Sequence, residues 1–149
     1  MRALMTWSSR IALLAVILVP SPGFAQAASA PEAERVAVAN GAYWNVTVPQ
    51  LQSMLEEKNF PLVNVHVPFQ GDLPLTDASI PFDRITEFLD RLPADKEAPV
   101  VLYCRSGRMS VDAATVLAGM GYTRVYNLVG GFNAWSAAGL PLSSTPVNP

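Results

Sequence analysis

The sequence predicts an α/β domain built on a central, mostly parallel sheet flanked by helices, and three observations predict it. Strand-like and helix-like stretches alternate along most of the chain, the pattern of a parallel sheet wound with crossover helices. The run Pro99-Val100-Val101-Leu102-Tyr103 is apolar without a break, as a strand covered on both faces requires. The chain has 149 residues, 50% of them apolar and 15% charged, which is enough for one compact core and short for two.

The N-terminus reads as a targeting segment. Arg2 and Arg10 precede the apolar run Ile11 to Val19, about half the length of a membrane span, and Pro20 ends it. The small-x-small triplet Ala25-Gln26-Ala27 then completes the pattern of a cleavable secretory signal over residues 1–27. Ala28-Ser29-Ala30 also fits a cleavage rule, but cutting there leaves Pro31 at the new terminus. The expectation is therefore a periplasmic or secreted protein with no membrane association after cleavage; a retained N-terminal anchor is the alternative. Residues 28–42, small, polar and Pro-containing, read as a flexible leader, 43–142 as the domain, and 143–149 as a C-terminal tail.

Within the domain, Pro49 suits a first helical turn, and Leu51, Met54 and Leu55 recur at helical spacing through Gln50 to Lys58. Leu62 to Val67, bounded by Pro61 and Pro68, reads as a strand. Phe69 to Pro81 has no sustained period and reads as a surface loop. Asp83 is placed to cap a helix whose stripe is Ile85, Phe88, Leu89 and Leu92, closed by Pro93. The strand ending at Tyr103 runs into Cys104, and Val111, Ala114, Leu117 and Met120 continue as a helix beginning near Met109 or Ser110 and ended by Gly119 and Gly121. Arg124 to Leu128 is a further strand, Gly130-Gly131 a turn passing close to the cysteine loop, and Phe132 to Ala138 a last helical turn or two.

Open α/β sheets place their sites at the carboxyl ends of strands, and Cys104 stands at such an end. The residues from Arg105 to Ser110 can curl so that backbone N–H groups face the sulfur, with the positive end of the following helix behind them. Such a cradle favours an anion, and a helix terminus with nearby arginines favours the thiolate of a cysteine over its thiol. Arg105 and Arg108 are placed to attract an anionic donor. The bland alternative is a core cysteine, since free cysteine is among the most buried residue types. A phosphatase loop built on cysteine wants an arginine at the sixth position on, to fork onto phosphate oxygens, and that position holds Ser110.

Leu62-Val63-Asn64-Val65-His66-Val67, the loop Cys104-Arg105-Ser106-Gly107-Arg108-Met109-Ser110, and Gly130-Gly131-Phe132-Asn133-Ala134-Trp135 through Ala138-Gly139-Leu140-Pro141 together resemble the rhodanese homology domain. The resemblance spans about Val46 to Pro141. It implies the rhodanese-like three-layer fold and a thiosulfate sulfurtransferase in which Cys104 is nucleophile and persulfide carrier. Substrate binding then falls to the backbone of Arg105, Ser106, Gly107, Arg108, Met109 and Ser110, with Arg105 and Arg108 guiding the donor. The implied partners are a small anionic sulfur donor and a thiol or cyanide acceptor, a protein thiol included, with no metal or organic cofactor. The same fold serves a non-catalytic persulfide carrier or partner-binding module, and that reading stays open beside the enzyme.

The chain departs from the family pattern in the first strand, where the usual Asp and Arg are Asn64 and His66. It departs again where Thr76-Asp77-Ala78-Ser79-Ile80 replaces the usual Gly-His-Ile, which raises a bracing role for Asp77. His66 and Trp135 read first as structural residues and second as site contacts. Asp72, Asp77 and Asp83 match no calcium loop. The single cysteine excludes an internal disulfide, and with one histidine it cannot build a cysteine-rich zinc site. A net charge of −2, more negative once Arg2 and Arg10 are removed, gives no footprint for nucleic acid.

Overall fold

The computed structural model describes residues 32–147, so the expected signal over 1–27 lies outside the described residues. Six strands form one sheet: β1 (Glu34–Val38), β2 (Gly41–Val46), β3 (Leu62–Asn64), β4 (Ala78–Ser79), β5 (Val100–Tyr103) and β6 (Val125–Leu128). Their order is β1-β2-β6-β5-β3-β4, with β1 and β2 antiparallel and every other pairing parallel. Helix α1 (Val48–Glu56) follows β2, α2 (Arg108–Gly119) follows β5, and α3 (Gly131–Ala137) follows β6.

Alternation along the strands sorts the side chains into two layers. Val63, Val65, Val100, Leu102 and Cys104 pack toward Ala113, Ala114 and Leu117 of α2 and toward Ile85. Leu62, Val101, Tyr103 and Leu128 pack the other way, against Leu51 of α1 and Phe132 and Trp135 of α3. Cys104 therefore continues the β5 alternation onto the α2 face. Trp135 is a core residue, 4% exposed, whose indole N–H donates to the Pro141 carbonyl at 3.0 Å.

The structure differs from the sequence reading in four places. The stretch assigned to a loose leader is ordered from Glu34 onward, because β1 pairs with β2 over Glu34↔Asn45 to Val38↔Gly41 and gives the sheet an antiparallel edge. The strand expected to reach Val67 pairs as β3 only to Asn64. The Asn64 side chain oxygen accepts the His66 N–H at 2.9 Å, an Asx turn that bends the chain away. The loop between Phe69 and Pro81 contains β4, which pairs parallel with β3 at the sheet edge. The helix expected from an Asp83 cap is a kinked 3-10 segment, Phe82–Arg91, flanked by Pro81. Arg84 and Phe88 have non-helical dihedrals, and its bonds are of the short i→i+3 kind, from Arg84 N–H to Pro81 and from Leu92 N–H to Leu89. The C-terminal tail is tied down: Ser143 pairs with Asp72 through two backbone hydrogen bonds, and the Val147 N–H donates to the Asp72 carboxylate at 3.1 Å.

Among the described residues no helix is long and apolar enough to cross a membrane.

Candidate active site

Cys104 follows the last residue of β5, in the middle of the sheet and at its carboxyl edge, and is 1% exposed. Burial alone fits a core cysteine. Its polar surroundings do not. The Gly107 N–H donates to Sγ at 3.1 Å, and Ser110 Oγ stands 3.5 Å from the same atom. Gly107 takes a left-handed φ of 95° and caps α2, so the loop closes into a turn that points its amide back at the sulfur. The helix starts at Arg108, slightly earlier than its sequence suggested.

The loop is held from the opposite side by the turn into α3. The Phe132 and Asn133 N–H groups donate to the carbonyls of Cys104 and Arg105, at 2.9 and 3.0 Å. Gly131 makes this approach possible: a Cβ there would collide with the Cys104 carbonyl oxygen, and its φ is +53°. The Gly-Gly pair thus lets two chain segments come within backbone hydrogen-bonding distance.

The expected site residues divide into two groups. Gly107 and Ser110 are buried and reach the sulfur. Arg105, Ser106 and Arg108 are exposed and form the rim of the loop, while Met109 is half-buried and packs against the α2-side core.

His66 is half-buried beside this loop, two residues beyond the end of β3, with its ring edge-on to Phe132 at 5.5 Å between centroids. Both ring nitrogens are shielded from solvent and lack a hydrogen bond of good geometry. Burial lowers its pKa below the ordinary histidine range; the neighbouring Gln70 amide partly opposes this, and the Arg105 charge adds to the lowering. Burial thus favours the neutral form of the imidazole.

Neither departure of this chain supplies a hydrogen bond to the sulfur, whose partners are Gly107 and Ser110. Asn64 donates to the Gly71 carbonyl at 3.1 Å and to Asp72 Oδ1 at 2.8 Å, which fixes the loop after β3. The Tyr103 hydroxyl lies 3.0 Å from Asp72 Oδ1 and 2.7 Å from Thr76 Oγ1, and burial holds this phenol far above its ordinary titration range. Asp77 accepts from Lys58 Nζ and from the Leu62 N–H, both at 2.7 Å, so it braces the start of β3 and not the cysteine loop.

The sequence reading did not single out Asn127 or Asn45. Ser110 Oγ donates to Asn127 Oδ1 at 2.6 Å, and Asn127 Nδ2 donates to Asn45 Oδ1 at 2.9 Å. Asparagine in the otherwise apolar strands Val125-Tyr126-Asn127-Leu128 and Tyr43-Trp44-Asn45-Val46 was the signal available.

A cavity of about 470 Å³ is lined by Val46, Gln50, Met54, Pro99, Arg124 and Tyr126 among others. Pro99 and Arg124 precede β5 and β6, so this cavity lies toward the amino edge of the sheet, away from Cys104. The chemistry assigns the site to the carboxyl edge.

Residues 47–138 match the family described as Rhodanese-like domain. The chain is 38% identical over 95 residues, covering 61% of itself and 85% of its relative, to a protein named Sulfurtransferase from Allochromatium vinosum. It is 30% identical over 105 residues, covering 69% of itself and 97% of its relative, to one named Thiosulfate sulfurtransferase GlpE from Vibrio cholerae. Among solved structures it is similar to a rhodanese-like domain protein from Staphylococcus aureus, with a TM-score of 0.54 and 27% identity over 67% of this chain and 98% of the other. With its cysteine at the end of a central parallel strand, a six-position loop leading to Ser110, and this match over most of the described residues, the chain belongs to the rhodanese-like domain family.

Proposed function

We propose that this chain is an exported sulfurtransferase that moves sulfane sulfur from thiosulfate, or a similar small donor, through a persulfide on Cys104. One observation carries the reading: the only cysteine has its sulfur met by the Gly107 N–H at 3.1 Å and by the Ser110 hydroxyl at 3.5 Å, at the carboxyl end of the central strand. A hydrogen-bond donor aimed at a sulfur supports its anionic forms, the thiolate before reaction and the persulfide after it. The sulfurtransferase names of two relatives support the same reaction class.

In the first displacement the Cys104 thiolate attacks the outer sulfur of thiosulfate. A sulfur–sulfur bond to Cys104 forms, the one within thiosulfate breaks, and sulfite leaves with the electron pair. In the second, an acceptor thiolate or cyanide attacks the outer sulfur of the persulfide, and the Cys104 thiolate is released. At 1% exposure Cys104 is open only to small reactants, and the exposed Arg105 and Arg108 guide anions to the loop. Export is the reading of the segment 1–27.

The test is acceptor-dependent turnover. Thiosulfate with cyanide is expected to yield thiocyanate and sulfite with the wild type and none above background with Cys104→Ser. Loading of Cys104 without turnover turns the reading into a persulfide carrier, and equal turnover by both proteins removes it. For export, fractionation of cells making the full chain is expected to place a shortened protein outside the cytoplasm; a full-length cytoplasmic protein contradicts that part.

A further inference from the structure

An apolar cavity of about 280 Å³ opens at the carboxyl edge of the sheet, beyond the ends of β3 and β4. Its walls include His66, Val67 and Phe69 after β3, Ser79 and Ile80 at the end of β4, and Pro146 from the tail. No Asp, Glu, Lys or Arg is among its lining residues. Both His66 ring nitrogens are shielded from solvent, so this side chain turns no polar atom to the cavity. Phe69 is 40% exposed, a large apolar side chain facing water at the wall. Apolar surface left wet in this way costs about 25 cal/mol per Å², and an apolar ligand relieves that cost.

The cavity adjoins the reactive loop through His66. β3 is the neighbour of β5, and the Val65 N–H still donates to the Tyr103 carbonyl at 2.8 Å, one residue before His66. The imidazole is close enough to Arg105 to feel its charge, and its ring meets Phe132, whose N–H holds the Cys104 carbonyl. The rim arginines and the cavity differ in what they can hold. Arg105 and Arg108 suit a small dianion such as thiosulfate. The cavity offers such a donor no charge and would strip its water without replacement. An uncharged apolar group pays no such penalty on entry.

We propose that this cavity binds the sulfur acceptor, and that the acceptor is a small thiol carrying an uncharged apolar group of about one ring. The inference rests on Cys104 being the persulfide carrier and narrows the acceptor for that site. A volume of about 280 Å³ lies at the small end of ligand cavities and suits one ring, not a polypeptide segment. With the ring held between His66 and Phe69, the acceptor thiolate attacks the outer sulfur of the persulfide. A sulfur–sulfur bond to the acceptor forms, the bond to Cys104 breaks, and the Cys104 thiolate leaves with the electron pair. The product is the acceptor's own persulfide. Cyanide has no apolar group and does not use the cavity.

The test compares two primary alkyl thiols as acceptors, 2-phenylethanethiol and 2-mercaptoethanol, with thiosulfate as donor and sulfite release as the readout. For the wild type, kcat/KM with 2-phenylethanethiol is expected to exceed that with 2-mercaptoethanol by about tenfold or more. Phe69→Asp and Phe69→Lys, at an exposed position, are both expected to cut that preference by at least about fivefold, and Phe69→Leu to keep it. Equal use of the two thiols by the wild type overturns the proposal. So do opposite effects of Asp and Lys, which assign the change to charge near the loop. Binding is read without turnover: 2-phenylethanol, which has no thiol, is expected to shift the NMR ring signals of His66, the only histidine, in Cys104→Ser protein. The shift is expected to shrink when Phe69→Asp is added, and its absence also overturns the proposal. Binding with no cyanide-dependent turnover in the wild type removes the proposed reaction and keeps the cavity as a site for the apolar group. Cyanide-dependent turnover with neither thiol preference nor binding removes only the cavity's role.

Discussion

The two faces of the sheet carry two polar networks at the same carboxyl edge, built from similar residue types and arranged to opposite ends. On the α1 and α3 face, Asn64, Asp72, Tyr103 and Thr76 close on one another around a buried carboxylate, with the tail fastened to it through Ser143 and Val147. On the α2 face, Glu34, Asn45, Asn127 and Ser110 form an open row that runs from the surface to the Cys104 sulfur. A closed network satisfies every buried group and rigidifies the loop after β3. The open one ends with Ser110 Oγ beside the Cys104 sulfur, at 3.5 Å. The contrast assigns stability to one face and chemistry to the other.

Substitutions break that division or sharpen it. The largest expected effect on chemistry is from Cys104→Ser, which abolishes sulfur transfer while leaving the thermal unfolding midpoint close to wild type; comparable loss of both would merge the two roles. Gly131→Ala strikes the joint between the faces, where a Cβ meets the Cys104 carbonyl at a left-handed φ. It is expected to cost at least about 2 kcal/mol in denaturant unfolding and to lower transfer as well. Tyr103→Phe removes the hydroxyl shared by Asp72, Thr76 and the Leu73 N–H. It is expected to cost about 1–3 kcal/mol in the same measurement with the transfer rate retained within about twofold. A rate loss larger than the stability loss explains would show the closed network reaching the sulfur.

The smallest effect is on pH dependence. Because burial lowers the His66 pKa in the folded state, the unfolded chain binds the additional proton as pH falls below the ordinary histidine value of about 6.5. Stability from the neutral ring is thus full above that pH and is lost as pH falls through the folded value. His66→Leu is expected to unfold with a weaker dependence between about pH 7 and pH 5 than wild type. Equal slopes would mean that the imidazole is protonated as readily folded as unfolded.

Legibility in the sequence followed the kind of signal each element carries. The uninterrupted apolar run into Cys104 and the Gly-Gly turn were readable because backbone requirements leave strong residue marks. β1 was missed since Glu34-Arg35-Val36-Ala37-Val38 is an exposed edge strand, whose pairing with β2 supplies what its own pattern lacks. The 3-10 segment carried a helical stripe, and nothing local distinguishes a kinked run of short turns from an α-helix when the same apolar side chains face the core. At the site, Cys104, Gly107 and Ser110 lie within one short loop and were legible, whereas Asn127 and Asn45 reach Ser110 only through strand order, which a single sequence does not state.

The measurement closest to the central claim is intact-mass spectrometry of the purified protein after exposure to thiosulfate, with Cys104→Ser alongside. The account predicts a gain equal to one sulfur atom on the wild type, removed by a thiol reductant, and no gain on the variant. An unmodified wild type whose Cys104 still reacts with a small alkylating agent would contradict it.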